Sequence, residues 1–148
     1  ICPFDTFSCK DRDIVICCGN DHLFSEMAEE LGASEMASDP RYATNESRLE
    51  NMEALKKDME SALAASNASD WNERLQARGV PCGLLNSVME AKSMPQIASR
   101  DMIAKSGHRD VTGSPYKYGT WSDAIATLPP PALDEHGDAI RAEFMGGA

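Results

Sequence analysis

The chain lacks the features that mark a nucleic-acid-binding or membrane-spanning protein. Its 14 lysines and arginines are outnumbered by 24 acidic residues, the net charge is −10, and the basic residues form no run. A nucleic-acid-binding protein needs a basic stripe to displace counterions from phosphates. No apolar stretch approaches the ~20 residues of a membrane-spanning helix, and the start shows no signal-peptide pattern. We therefore expect neither nucleic acid nor a membrane as a partner.

Familiar catalytic and cofactor motifs are also missing. The sequence contains no GxGxxG loop, no GxxxxGK motif and no GxSxG elbow. Its three histidines (His22, His108 and His136) are scattered among loop signals. Acidic pairs are plentiful, but 24 acidic residues make such pairs uninformative, and a solvated surface explains them. From residue types alone we assign no catalytic residue and no residue that binds a cofactor.

Five cysteines are present, at positions 2, 9, 17, 18 and 82. A metal site would call for CxxC-type spacing with a nearby histidine, and neither occurs. Cys17 and Cys18 adjoin inside an apolar run, where neighbouring side chains of a strand point to opposite faces. We interpret the cysteines as buried thiols in a reducing, cytoplasmic compartment and predict no metal site.

The size and composition fit one ordinary globular domain. The chain has 148 residues, of which 42% are hydrophobic and 26% charged, and this length can bury a sizeable core. It opens at Ile1 without a methionine, which fits a fragment or a processed product as well as a natural start.

The first part of the chain alternates between strand and helix patterns. Residues 3–9 alternate apolar and polar, residues 10–13 are a polar break, and residues 14–18 are a β-branched run, which together predict a hairpin. A helix follows from residue 22 to Gly32. The longest helix is predicted over residues 46–65, and a shorter one is capped by Ser69 and closed by Gly79. The predicted core positions of these last two helices are Leu49, Met52, Leu55, Met59, Leu63, Trp71 and Leu75.

The remainder is less regular. Residues 80–86 are predicted as an edge strand, Ser87 and Pro95 as the starts of two brief helices, and residues 136–145 as a last helix. Between them the periodicity weakens after Met102, and residues 111–115 and 129–131 are typical of loops. Such a tail favours a segment that lies over another body rather than an independent domain.

Three ordered stretches carry a resemblance to a known family. They are 13–21 (DIVICCGND), followed by Leu23, Phe24 and 31–32; 39–45 (DPRYATN) with Arg48, Trp71, Leu75, 79–83 (GVPCG) and 86–88; and 113–117 (GSPYK) with 133–136 (LDEH). Together they cover most of the chain, which resembles the class III CoA-transferases (CaiB/BaiF family). The resemblance implies an α/β (α+β) fold. Residues 1–86 would be the small domain, with a short antiparallel sheet and packed helices, and residues 87–148 an irregular linker and return segment.

The resemblance also implies an activity. In this family two subunits interlock, and an aspartate of a larger domain attacks an acyl-CoA thioester to form an aspartyl-CoA intermediate. An incoming carboxylic acid then accepts the coenzyme A, and no further cofactor is implied. Because coenzyme A is polyanionic and this chain is acidic, most of the basic side chains that contact coenzyme A would have to lie outside this chain. That aspartate precedes the matched region, so we expect this chain alone to be inactive.

One departure from the family concerns the first hairpin. Formyl-CoA transferases have a glycine run after a Cys-Lys pair there, whereas Cys9 and Lys10 are followed by Asp11 and Arg12. This argues against formyl-CoA/oxalate specificity. Lys10 and Arg12 lie where a substrate flap would be and are candidates for substrate contact. The alternative is a solvated hairpin turn.

Two other functions compete with the transferase. One is a 2-methylacyl-CoA racemase of the same family, and the other is a stand-alone binding module without chemistry. A module should pack its own tail, whereas a fragment should leave Trp121, Ile125 and Leu128 without a packing partner.

Overall fold

The computed structural model describes residues 1–119 and 129–145, which divide into two compact units. The first unit is Ile1–Leu85 and the second begins at Asn86. Whether these units are the family's small domain and return segment stays a prediction. Trp121, Ile125 and Leu128 lie outside the described residues. Within those ranges, no helix has the length and apolar character needed to cross a membrane.

A three-stranded antiparallel sheet organises the first unit. Its strands are β1 (Phe4–Ser8), β2 (Asp13–Cys17) and β3 (Cys82–Leu84), in the order β1-β2-β3. Phe7 lies opposite Ile14, and all of Phe7, Ile14 and Ile16 are buried, so one face of the sheet faces the core. The predicted hairpin is thereby confirmed, and residues 82–84 form the predicted edge strand.

Helices cover the buried face of this sheet. Asn20 caps α1 (Asp21–Glu30) by accepting a hydrogen bond from the Leu23 N–H. After a 3-10 turn (Ser34–Ala37) come α2 (Asn45–Glu50), α3 (Met52–Leu63) and α4 (Ala68–Ala77). Sequence reasoning placed the α4 cap at Ser69; the cap position is Asn67 instead. Gly79 follows α4 with φ of +74°, a left-handed conformation that suits glycine.

The single helix predicted over residues 46–65 is wrong, because the chain breaks at Asn51. The Asn51 side-chain amide donates to the Ser47 carbonyl oxygen at 2.9 Å and competes with the helical backbone pattern. Leu49 and Met52, predicted in the core, are 46% and 53% exposed as a result. Leu55, Met59 and Leu63 of α3 are buried as predicted.

The core of the first unit is one hydrophobic cluster. Its members are Cys2, Phe7, Ile14, Ile16, Cys18, Phe24, Met27, Ala28, Leu31, Met36, Tyr42, Leu55, Met59, Leu63, Ala68, Trp71, Leu75 and Val80. The cluster draws on both long strands, on the helices α1, α3 and α4 and on the 3-10 turn, so hydrophobic burial holds sheet and helices together.

The second unit is more regular than expected. It contains α5 (Val88–Lys92), α6 (Pro95–Ser99), an antiparallel pair β4 (Ile103–Ser106) and β5 (Arg109–Thr112), and α7 (Gly137–Met145). Ser87 caps α5 and Pro95 begins α6, as predicted. The hairpin of β4 and β5 was missed, and Val111 and Thr112 were wrongly predicted as loop. Four-residue strands with charged side chains show too little alternation to be recognised. The combination of helices with small antiparallel sheets confirms the predicted fold class.

Candidate functional site

The turn between β1 and β2 contains both residues that the sequence singled out as substrate-contact candidates. The Cys9 N–H donates to the Arg12 carbonyl oxygen at 3.1 Å and closes the turn. Just before it, the Ser8 hydroxyl donates to the Asp13 carboxylate at 2.9 Å, and the Ser8 N–H donates to Glu60 at 3.1 Å. The turn is therefore bonded both across its own hairpin and to α3.

A second set of bonds holds the turn to the start of α4. The Lys10 N–H donates to the Ser66 carbonyl oxygen at 3.2 Å. The Asp11 carboxylate accepts the Ala68 N–H at 2.7 Å, which supplies the cap that the Asn67 side chain does not. This hydrogen bond is the main reason that the pKa of Asp11 is lowered from its usual value. Asp11 thus carries its negative charge at a helix N-terminus, where charge is stabilised.

The two candidate residues differ in their surroundings. Lys10 is exposed at the tip of the turn, and its ammonium group has no bonding partner among the described residues. Arg12 is half-buried and already interacts within the protein. The structure brings the two into one turn without testing what they bind, and substrate contact stays a prediction for both.

None of the five cysteines is poised as a nucleophile. Burial raises the pKa of Cys18 to about 12, and burial together with Asp11 and Asp13 raises the pKa of Cys9 to about 11. Burial also raises the pKa of Cys2, Cys17 and Cys82. Because the thiolate is the reactive form, all five are suited to packing rather than to attack.

Several carboxylates are likewise committed to structural bonds. Hydrogen bonds from Lys56 and from Arg41 lower the pKa of Asp5 and Asp39, respectively. In the second unit, bonds from Lys105 and Lys92 lower the pKa of Asp110 to about 2. In residues 1–119 and 129–145, no group of three or more histidine, cysteine, aspartate or glutamate side chains could hold a metal.

Arg48, one of the residues that carry the family resemblance, is a buried structural residue that links separate segments of the chain rather than a reacting group. Its side chain is 0% exposed, and its guanidinium donates to the carbonyl oxygens of Cys2 at 2.7 Å and Tyr42 at 2.9 Å. It also pairs with Asp21 at 2.6 Å and lies 4.5 Å from the centre of the Phe24 ring. These contacts join the segment before β1, the start of α1 and the segment before α2.

An apolar cleft of about 260 Å³ lies between β1 and α3. Its lining includes Phe4, Met52 and the Lys56–Asp5 ion pair. The volume is below the ~300 Å³ at which small-molecule sites usually begin. Other clefts exceed that volume, among them one of about 360 Å³ beside Tyr42 and Asp58 and one of about 350 Å³ beside Ile97 and Val111. The turn from Cys9 to Arg12 stays the candidate site because the family resemblance singles out Lys10 and Arg12.

The partner of Asp11 is the part of this site that sequence reasoning missed. It treated Asp11 as part of a polar break between two strands. The N–H that Asp11 accepts belongs to Ala68, far along the chain at the start of another element. No local sequence pattern relates Asp11 to Ala68. The Asn67 side chain does not cap α4, so a carboxylate from elsewhere in the chain can accept the free N–H of the first turn.

Comparison with known proteins gives a consistent result. The model of CoA-transferase family III matches residues 1–137. Acetyl-CoA:oxalate CoA-transferase from Acetobacter aceti is 44% identical over 142 residues, which cover 96% of this chain and 36% of that protein. Succinyl-CoA:glutarate CoA-transferase from Mus musculus is 27% identical over 150 residues, covering 98% of this chain and 34% of that protein. The chain thus spans about a third of the length of these curated relatives.

A solved structure agrees with the sequence relatives. The crystal structure of a CaiB/BaiF family protein from Brucella suis superposes with a TM-score of 0.82 at 34% sequence identity. The match covers 97% of this chain and 38% of that one. The similarity extends over both units of the described chain.

Proposed function

Because the chain belongs to CoA-transferase family III, we propose that it is the C-terminal portion of an enzyme that moves coenzyme A between carboxylic acids. The observation that carries the proposal is the 44% identity, over 96% of the chain, to an acetyl-CoA:oxalate CoA-transferase. The complete enzyme would bind an acyl-CoA and a carboxylic acid acceptor and form an interlocked homodimer. We also propose a reducing, cytoplasmic compartment, in which the five cysteines would remain free thiols.

The reaction would use a carboxylate from the part of the enzyme that this chain does not contain. An aspartate attacks the thioester carbonyl and expels the coenzyme A thiolate, leaving an aspartyl anhydride. The thiolate then attacks the aspartyl carbonyl, releases the donor acid and forms the aspartyl-CoA thioester. The acceptor acid takes the coenzyme A by the reverse sequence. The structural bonds of Asp5, Asp11, Asp39 and Asp110 support an origin of the nucleophile outside this chain.

For the acceptor we propose a small dicarboxylic acid. The relatives from Acetobacter aceti and Mus musculus are named for oxalate and glutarate. Because the glycine run of the formyl-CoA transferases is missing, we propose that the donor is an acyl-CoA whose acyl group is larger than formyl. The names of these two relatives also favour transfer over the racemase alternative.

A hybrid enzyme tests the proposal. The matched segment of the Acetobacter aceti enzyme is replaced by this chain, and transfer from acetyl-CoA to oxalate is followed by chromatography of the CoA esters. We expect transfer by the folded hybrid and none by the isolated 148-residue chain. The unaltered relative is the positive control, and circular dichroism with size-exclusion chromatography checks folding and assembly.

Three outcomes would contradict parts of the proposal. Turnover of acyl-CoA with a carboxylate acceptor by the isolated chain would refute the proposal that the nucleophilic aspartate lies outside this chain. A folded hybrid that epimerises a 2-methylacyl-CoA but transfers nothing would favour the racemase. A folded hybrid with neither activity would favour the binding module.

A further inference from the structure

A cleft of about 350 Å³ in the second unit is lined mainly by apolar side chains. One wall is α5, where Val88, Ala91 and Lys92 are spaced so that they share one face of the helix. Another wall is the β4–β5 hairpin, where Ile103 and Thr112 lie opposite each other and share one face of the two strands. The helix and the hairpin thus each turn one face toward the same cleft.

Charged side chains join these two walls. The Lys92 ammonium on α5 pairs with the Asp110 carboxylate on β5, and the Lys105 ammonium on β4 pairs with the same carboxylate. Because two ammonium groups share one carboxylate, these three side chains carry an excess of one positive charge. The excess is notable in a chain whose net charge is −10.

The apolar side chains of this cleft remain exposed to solvent. Val88 is 84% exposed, and Ile103 and Val111 are each 37% exposed. In the described residues from 86 onward, Ala104 is the one hydrophobic side chain that is buried. Large exposed apolar patches on folded proteins mark interaction sites. The cleft therefore has the properties of a docking surface.

The lengths of the relatives indicate what covers this surface. The chain spans 36% of the Acetobacter aceti enzyme and 38% of the Brucella suis protein. The match to the latter covers 97% of this chain, so it includes the second unit. The second unit therefore has a counterpart in a protein with much more polypeptide to pack against. A segment of the same polypeptide also acts at a higher effective concentration than a separate molecule.

We infer that the cleft between α5 and the β4–β5 hairpin is a docking site for an apolar segment of the same polypeptide, from the part of the parent enzyme outside this chain. The inference rests on that element of the proposed function which makes this chain a portion of a longer enzyme. Complementarity calls for apolar side chains against the walls and an acidic side chain near Lys92 and Lys105. A second copy of this chain is a poorer occupant, because two copies with a net charge of −10 repel each other.

Hydrogen exchange tests the inference without requiring activity. Amide exchange of residues 88–112 is measured by mass spectrometry in the isolated 148-residue chain and in the hybrid enzyme. Exchange of these residues should be about tenfold slower or more in the hybrid, because a covered helix and hairpin open less often. Residues 14–17, which form the central strand of the first sheet, are the internal control and should change little.

Val88→Asp tests the cleft wall directly. Val88 is the first residue of α5, where an acidic side chain is tolerated, so V88D should shift the thermal unfolding midpoint of the isolated chain by less than about 1 °C. In the hybrid the same charge would be buried against an apolar segment. There V88D should lower the midpoint by about 3 °C or more and remove the added exchange protection.

Two further variants control for this substitution. Met89→Asp places the same charge on the same helix, at a side chain that is 70% exposed but does not line the cleft. M89D should leave the exchange protection of the hybrid intact. Val88→Ala shortens the cleft side chain without adding a charge and should cause a smaller loss in the same direction as V88D.

Several results would overturn the inference. Equal exchange of residues 88–112 in the isolated chain and the hybrid would do so, as would equal effects of V88D and M89D. Protection of the isolated chain that grows with protein concentration would assign the cleft to a second copy. Protection of the hybrid that is lost on dilution to monomers would assign it to the partner subunit.

Failure of this inference and failure of the proposed function are distinguishable. A folded hybrid with the expected protection but no transferase activity would refute the activity and leave the docking site standing. An active hybrid in which residues 88–112 gain no protection would support the activity and refute the docking site.

Discussion

The two units of the chain differ in what happens to their apolar side chains. In residues 1–85, eighteen hydrophobic residues form one buried cluster. In the described residues from 86 onward, Ala104 is the one buried hydrophobic side chain. Large apolar side chains are exposed there instead, among them Val88, Met89, Leu133, Ile140, Phe144 and Met145. The first unit is therefore stabilised by burial, and the second depends on weaker, local bonds.

The bonds of the second unit illustrate this dependence. Asp110 pairs with both Lys92 and Lys105, and Ser87 with Glu90 forms a capping box at α5. Exposed ion pairs contribute about 0–1 kcal/mol each, and a cap about 1 kcal/mol. A core of eighteen buried side chains contributes far more. We therefore expect substitutions to be costly in the first unit and nearly neutral in the second.

The largest effect is expected from Arg48→Ala in the first unit. The change removes the donors for two buried carbonyl oxygens and leaves a cavity, so the free energy of unfolding should fall by about 3 kcal/mol or more. Urea titration of the 148-residue chain, followed by circular dichroism, measures the loss. Arg41→Ala, which removes an exposed pair with Asp39, is the control and should cost less than about 1 kcal/mol. Equal losses of unfolding free energy in the two variants would contradict the interpretation that buried Arg48 links separate segments of the first unit.

Alkaline pH should weaken the first unit, which contains all five cysteines. The folded-state pKa of Cys18, about 12, lies above its ordinary value of 9.0. The stabilisation that the protonated Cys18 thiol contributes is therefore complete below pH 9 and is lost as the pH rises toward 12. The free energy of unfolding should be lower by about 2 kcal/mol at pH 10.5. Unfolding titrations from pH 8 to 10.5 measure this, with Cys18→Ala as the control whose slope should be smaller. A flat profile would contradict the burial of this thiol.

A smaller loss is expected from Trp71→Phe. The Trp71 indole N–H donates to the buried Leu63 carbonyl oxygen at 2.8 Å, and phenylalanine removes this donor, leaving the longer bond from the Ser66 N–H at 3.4 Å. The free energy of unfolding should fall by about 1–2 kcal/mol. Glu73→Ala, on the exposed side of the same helix, should change it by less than ~0.5 kcal/mol. No difference between the two variants would mean that the hydrogen bond contributes nothing.

The smallest effect is expected in the second unit. Phe144 of α7 is 77% exposed, so Phe144→Ala should change the unfolding free energy of the chain by less than about 0.5 kcal/mol. Circular dichroism during urea titration detects any larger change. A loss above about 1 kcal/mol would show that Phe144 is buried in solution, and the contrast between the units would then fail.

Much of the first unit could be predicted because its patterns are local. Alternating residues indicated β1, the run of β-branched residues indicated β2, and the spacing of Trp71 and Leu75 indicated a helix face. The break between α2 and α3 was missed because it depends on where one side chain, Asn51, makes its hydrogen bonds. The β4–β5 hairpin was missed because four-residue strands contain too little pattern.

The candidate site divides in the same way. Sequence reasoning located Lys10 and Arg12 in a turn between two strands, since turn signals are local. It could not distinguish Lys10, whose ammonium has no bond to a described residue, from Arg12, which interacts within the protein. Nor could it assign a role to Asp11, whose partner comes from another element.

By itself, the sequence determined the fold class, the first hairpin and the family resemblance, because these follow from residue order and short-range periodicity. Only the tertiary structure decided which charged side chains have hydrogen-bond or ion-pair partners. It buried Arg48 among carbonyl oxygens, tied Asp11 to the start of α4 and left the ammonium of Lys10 exposed. The physical reason is that a charge is stabilised by groups near it in space, and folding brings such groups together from distant parts of the chain.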